Sequence, residues 1–147
     1  METDEYGIMR YYNSDRQLHR DEIDPITGLT LPAIEYTNGN KYWYKKGTLH
    51  RDERDPITGL TLPAIDYANG YKAWFINGKC HRDDKDPITG LTLPTIEWAY
   101  RDKEWHNNSK LHRDERDEFG IPLPAVEYAD GDKEWYINDN EYILIKI

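Results

Sequence analysis

Apolar and polar positions alternate in short runs closed by turn residues. The cleanest run is Ala64-Ile65-Asp66-Tyr67, with Asn69-Gly70 behind it. Two-residue alternation of β-formers predicts a half-buried strand, and Asn-Gly predicts a two-residue hairpin turn with both central residues at positive φ. Tyr71-Lys72-Ala73-Trp74-Phe75-Ile76 reads as the return strand, Asn77-Gly78 as a second turn, and Lys79-Cys80-His81-Arg82-Asp83 as a third strand. The turns recur as Asn38-Gly39, Lys46-Gly47 and Asp130-Gly131. In the third unit they become Tyr100-Arg101-Asp102 and Asn107-Asn108-Ser109, which predicts a more irregular first turn.

Two-residue turns fix the register. They place Ile34 opposite Trp43, Tyr36 opposite Lys41, Trp43 opposite His50, and Tyr44 opposite Leu49. One face then carries Ile34, Tyr36, Trp43, His50 and Asp52 and is expected to be the core. The other carries Glu35, Tyr42, Tyr44, Leu49 and Arg51, so the arginines are expected to point outward. Tyr11 to Gln17 align with Tyr42 to Thr48 and place Tyr12 in the tryptophan position.

The whole pattern repeats. Leu-His-Arg-Asp starts at Leu18, Leu49 and Leu111, and Cys-His-Arg-Asp at Cys80, at a constant 31-residue spacing. Each string leads into Asp24-Pro25-Ile26-Thr27-Gly28-Leu29-Thr30-Leu31-Pro32 or its equivalent; the fourth copy, Asp117 to Ala125, is looser and one residue shorter. A period of this length predicts units that bury their apolar faces on one another. The predicted fold is all-β: antiparallel β-hairpins in a single elongated or curved sheet. Its parts are a half-repeat cap (1–17), four repeats (18–48, 49–79, 80–110, 111–140) and a capping strand (141–147). Trp43, Trp74, Trp105 and Trp135, with His19, His50, His81 and His112, are the structural repeat positions. Leu29, Leu60 and Leu91, with Leu31, Leu62 and Leu93, predict an apolar edge along which the loops pack.

At 147 residues the chain has the length of one domain, and 37% apolar against 32% charged residues predicts a thin array rather than a thick core. Twelve Tyr and five Trp suit half-buried positions. A net charge of -9 argues against direct nucleic-acid binding and against an anionic membrane surface, and favours basic partners. The lone Cys80 excludes an intrachain disulfide and fills a leucine position. The acidic start, Met1-Glu2-Thr3-Asp4-Glu5, lacks signal-peptide features, so an intracellular location is expected.

The order Trp74-Phe75-x-Asn77-Gly78-x-x-His81 resembles the MORN repeat. Trp43, Tyr44, Gly47 and His50 match it as well, as do Trp135, Tyr136 and Asn138 with Asp139 at the turn glycine. The resemblance runs from about Tyr11 and is closest to divergent MORN-like arrays of giant DNA viruses, marseillevirus-like ones among them. Two departures stand out: an extra loop, Glu53 to Thr61 in the second unit, and Arg20, Arg51, Arg82 and Arg113 in place of the family's glycine. The resemblance implies a scaffold or dimerisation module, in host cytoplasm, virus factory or virion.

Each chemical motif has a plainer reading. His-Arg-Asp is also the kinase catalytic-loop triplet, but it falls in a strand, in four copies, without an Asp-Phe-Gly downstream. Histidines of adjacent units lie two strand spacings apart, about 9.6 Å, too far to share one zinc. Asp52, Asp55, Asp83 and Asp86 are weak calcium-loop candidates; they lack the alternating ligands of an EF-hand, and Asp-Pro-Ile-Thr-Gly is an ordinary turn sequence. Carboxylate pairs occur throughout and single out no glycosidase site. No cofactor is expected.

The predicted function is therefore non-enzymatic: a structural or scaffold protein with protein partners, including a possible homodimer. The alternative is an acidic binding module for a basic, histone-like partner, and a lipid-associated module ranks below both. The interaction candidates are Trp98, Tyr100 and Trp105, which with His106 mark the unit where the repeat decays, and Tyr142, Ile143, Ile145 and Ile147 on the terminal strand.

Overall fold

The computed structural model describes residues 1–145. The fold is all-β. Antiparallel strands form one 11-stranded sheet in chain order, and three two-stranded ribbons flank it. In the first full unit Ile34–Glu35 pairs with Lys41–Tyr42, which pairs onward with Ile65–Asp66 of the next unit. The chain then leaves the sheet as the ribbon Tyr44–Lys45 and Thr48–Leu49. A long loop returns it to the sheet. No helix is long and apolar enough to cross a membrane among the described residues.

The second turn has the expected form. Lys46 and Gly47 lie at φ 49° and 82°, and Tyr44 faces Leu49. The first turn differs. Tyr36 donates its N–H to Asn40 O at 2.9 Å, Gly39 donates to Tyr36 O at 3.0 Å, and of Asn38 and Gly39 only the glycine has positive φ, at 93°. This is a three-residue loop closed by a left-handed glycine, which Asn-Gly satisfies equally well.

One extra loop residue shifts the pairing, so Ile34 faces Tyr42 and Glu35 faces Lys41. Because side chains alternate, the shift exchanges the faces. Tyr42 joins Ile34 and Tyr36, while Trp43 joins Glu35 and Lys41. Along that second face the register reads Glu35, Lys41, Asp66, Lys72, Glu97, Lys103, Glu127, Lys133, alternating in sign across seven pairings.

Two further expectations are corrected. The cap turn also has three loop residues, with Arg16 at φ 59°. Tyr11, not Tyr12, therefore takes the tryptophan position: Tyr11 donates to Ala33 O and accepts from His19 N, both at 2.9 Å. Nor is the third unit's first turn irregular. Trp98 and Asp102 close the same loop, with Arg101 at φ 79° in the glycine's place. Asn108-Ser109 and Asn138-Asp139 likewise keep the second turn without glycine, all four at positive φ. Pairing to neighbouring strands imposes these turns against a local cost of about 1–2 kcal/mol for a left-handed residue such as Arg101, and less for Asn and Asp, which tolerate that conformation.

Candidate functional site

The core lies where each ribbon leaves the sheet. Trp43, Trp74 and Trp105 are buried there beside Ala33, Ala64, Thr95 and Ala125. Each indole N–H donates to a carbonyl of the preceding loop: Trp43 to Thr30, Trp74 to Thr61, Trp105 to Thr92 and Trp135 to Pro122, all at 2.7–2.9 Å.

Arginine covers the ring. The guanidinium carbons of Arg51, Arg82 and Arg113 lie 3.8, 3.8 and 4.0 Å from the ring centroids of Trp43, Trp74 and Trp105, and Arg20 lies 3.6 Å from that of Tyr11. Arg51, Arg82 and Arg113 are only 6–7% exposed, the reverse of the outward orientation expected from the sequence. The ribbon keeps its expected register, and the reversal arises where the chain leaves the sheet: Trp43 donates its N–H to Ala64 O of the sheet at 2.8 Å, whereas Arg51 donates to Phe75 O of the next ribbon at 3.1 Å, so strict alternation does not carry across this point.

Each arginine is held by a carboxylate two residues on. Arg51 Nε donates to Glu53 at 3.1 Å, Arg82 to Asp84 at 2.9 Å and Arg113 to Glu115 at 3.3 Å. The same carboxylates reach back to the preceding loop. Asp84 accepts the Thr61 N–H and hydroxyl at 3.0 and 2.9 Å, and Glu115 accepts the Thr92 N–H at 2.9 Å. Burial pushes the Asp84 carboxyl up, but Arg82 and Thr61 outweigh it and hold it below its ordinary value. Glu115 is held low in the same way by Thr92 and Arg113.

Histidine joins units instead of filling the core. His50 keeps its expected backbone partner, donating its N–H to Trp43 O at 3.0 Å. Its ring, however, accepts the Asn77 N–H of the next unit on Nδ1 at 2.9 Å; His19 accepts from Lys46 at 3.0 Å and His112 from Asn138 at 3.2 Å. The other ring nitrogen faces an aspartate: Asp21, Asp52, Asp83 and Asp114 lie 2.7–3.7 Å from Nε2 of His19, His50, His81 and His112. At His81 the buried Nδ1 has no partner among the described residues.

The calcium-loop candidates do not converge on an ion. Asp52 and Asp83 face their histidines. Asp55 Oδ1 accepts the Ile57 and Thr58 N–H groups at 2.7 and 3.0 Å, and Asp86 does the same with Ile88 and Thr89. These backbone bonds hold both carboxyls below their ordinary value. Among the described residues no group of three or more His, Cys, Asp or Glu is placed to hold a metal. Cys80 is buried, and burial pushes its thiol up to about 11.

The aromatic cluster expected in the third unit is divided between the two faces. Trp105 lies under Arg113. His106 turns to Thr95, whose hydroxyl is 2.9 Å from Nδ1, and burial holds its pKa low. Trp98 and Tyr100 lie on the opposite face, where they end a row of rings: Tyr36, Tyr42, Tyr67, Tyr71, Trp98, Tyr100. Successive centroids are 5.5, 5.8, 4.9, 4.8 and 5.8 Å apart. Burial raises the Tyr42 and Tyr71 hydroxyls, Tyr71 to about 12, so both are protonated at neutral pH. On the terminal strand Tyr142 faces Trp135, while Ile143 and Ile145 are 82% and 84% exposed; Ile147 lies outside the described residues.

Comparison with known proteins returns no match: no family model, no curated protein and no solved structure matches this chain.

Sequence reasoning missed the arginine layer and the extent of the aromatic row. The available signal was Arg20, Arg51, Arg82 and Arg113 standing unchanged in all four copies next to the aromatic positions.

Proposed function

We propose that the protein is a non-enzymatic scaffold that binds protein partners on the aromatic face of its sheet. One observation carries the reading. The repeated polar groups that look catalytic singly are engaged within and between units: arginine on tryptophan, histidine Nδ1 on the next turn in three joints, carboxylates on the preceding loop. The row from Tyr36 to Tyr100 is left open on the other face, with Tyr100 61% exposed. Rigid rings with polar ends provide contact area at little entropic cost. The MORN resemblance and its viral setting belong to this proposal, since hairpin arrays of that kind are the scaffold it implies.

The test is affinity capture from cells of the source organism with the native chain and with Tyr100→Ser. Proteins retained by the first and lost from the second support the reading, and identical retained sets overturn it. The terminal strand is a second contact for self-association, supported by the exposure of Ile143 and Ile145. Light scattering of Ile143→Lys/Ile145→Lys against the native chain checks it, and equal masses at all concentrations remove it.

The acidic-module reading has its own support. Asp21, Asp52, Asp83 and Asp114, one per unit, have side chains 88, 66, 89 and 79% exposed. Binding to a lysine-rich polypeptide that weakens steeply with salt supports this role, and binding insensitive to salt excludes it.

A further inference from the structure

The joints between hairpin tips are not all alike. At the first, Asn40 Oδ1 accepts the Ala68 N–H at 3.0 Å. At the third, Asp102 Oδ1 accepts the Ala129 N–H at 2.7 Å. At the middle joint the same repeat position holds Tyr71, and the Ala99 N–H has no acceptor among the described residues. The tips are unbridged there, and a groove of about 300 Å³ lies between Tyr67, Asn69 and Tyr71 on one side and Trp98, Ala99 and Tyr100 on the other.

We infer that this groove binds a proline-rich segment in the polyproline II conformation, an inference that rests on the scaffold reading above. The first argument is hydrogen-bond complementarity. Two donors at the groove have no partner among the described residues, the Ala99 N–H and the Asn69 side-chain NH₂. Asn69 Oδ1 is engaged by the Tyr71 N–H and Glu104 Oε2 by the Trp98 indole N–H, both at 2.9 Å. A run of prolines offers carbonyls and no N–H, so it matches this set.

The second argument is spacing. The rings run across the strands, along the axis of the array. Repeating units stand two strand spacings apart, about 9.6 Å. Polyproline II advances about 9.3 Å per three-residue turn. A proline at every third position therefore meets the ring pair of each successive unit. Pyrrolidine rings pack on aromatic faces in grooves of this kind, and the net charge of -9 favours segments flanked by lysine or arginine.

The experiment is an NMR titration of the ¹⁵N-labelled full chain with an oligoproline peptide flanked by lysines. The controls are a Gly/Ser peptide with the same flanks and a β-linked hexasaccharide. The expected result is saturable binding of oligoproline alone, with the largest shifts at the Ala99 N–H, the Asn69 side-chain amide and the Trp98 indole. Tyr71→Asn, which installs the bridge of the first joint, is expected to close the groove and weaken binding about tenfold. Tyr100→Ser, at an exposed loop tip, is expected to weaken binding similarly and provides the same test if Tyr71→Asn does not fold. Equal binding of the Gly/Ser peptide or the saccharide overturns the inference, as do shifts confined to other residues or full affinity in the folded variants. If oligoproline does not bind while Tyr100→Ser still loses captured proteins, the inference fails and the scaffold reading stands. If neither occurs, both fail.

Discussion

Arg82 and Asp84 form the most deeply buried ion pair among the described residues, with side chains 4% and 2% exposed and 2.9 Å between Nε and Oδ2. Arg82→Ala removes that bond, the bond to Pro94 O at 3.1 Å and the stack on Trp74. Removing one member of a buried pair costs about 3–5 kcal/mol, because the other is left ionised and under-solvated. The lost stack adds about 0.5–2 kcal/mol. Asp84 keeps its Thr61 bonds and has Arg54 at 3.3 Å, which offsets part of the loss. The expected net loss is about 3–5 kcal/mol, and for a chain of this size each kcal/mol lowers Tm by about 3 °C. Arg82→Met combined with Asp84→Asn removes both charges and is expected to cost only about 1–2 kcal/mol. The assay is urea unfolding followed by tryptophan fluorescence and circular dichroism. Arg54→Ala, at a side chain 65% exposed, serves as the control and is expected to stay within about 0.5 kcal/mol. A loss below about 1 kcal/mol for Arg82→Ala refutes the reasoning, as does a double variant no more stable than the sum of its single changes.

Acid should loosen the array through the same carboxylates. The ordinary values for Asp84 and Glu115 are 3.8 and 4.5, and both sit lower in the fold. Their contribution is therefore complete above those ordinary values and lost as pH falls through the folded ones; Asp84→Asn should flatten the acid limb of a Tm–pH curve, and an unchanged limb contradicts this. His106 is held below its ordinary 6.5, so it favours folding most above that value and less as pH falls beneath it. His106→Tyr, the residue of Tyr44 and Tyr136, should reduce the fall in Tm between about pH 7.5 and 5.5; a fall as large as before removes His106 as its source. Arg101→Gly relieves a left-handed arginine and should stabilise by about 0.5–1 kcal/mol after the entropy of glycine is counted, and a lower urea midpoint argues against strain at that turn.

Much of the architecture could be read from the chain, since alternation, turn residues and the 31-residue period all specify stacked hairpins. The faces could not. Lys46-Gly47 and Asn77-Gly78 form the two-residue turns their sequences suggest, whereas Asn38-Gly39 suits two loop lengths that differ by one residue. Sequence alone does not separate those lengths, yet the choice decides whether Trp43 faces Ile34 or Lys41. The arginine orientation failed for another reason: the ribbon keeps its register, but the chain leaves the sheet at Trp43, and alternation does not carry across that point. At the candidate surface, Trp98 and Tyr100 stood out because they break the repeat. Tyr71 did not, because its role lies in a bond it fails to make. The turns of the third unit show the converse: a degraded local signal at Arg101 and Asn108-Ser109, overridden by pairing on both sides.

The alternating row on the sheet has an electrical consequence. Glu35, Asp66, Glu97 and Glu127 are matched by Lys41, Lys72, Lys103 and Lys133, four against four, so the entire excess of -9 falls outside the row. Within the row the field of each charge is cancelled one strand away, about 4.8 Å, well inside the roughly 8 Å over which physiological salt screens exposed charge. The face that carries the row is thus nearly silent to an approaching charge. Contact with that face should therefore be nearly indifferent to ionic strength, and any salt dependence of binding should arise from charges outside the row.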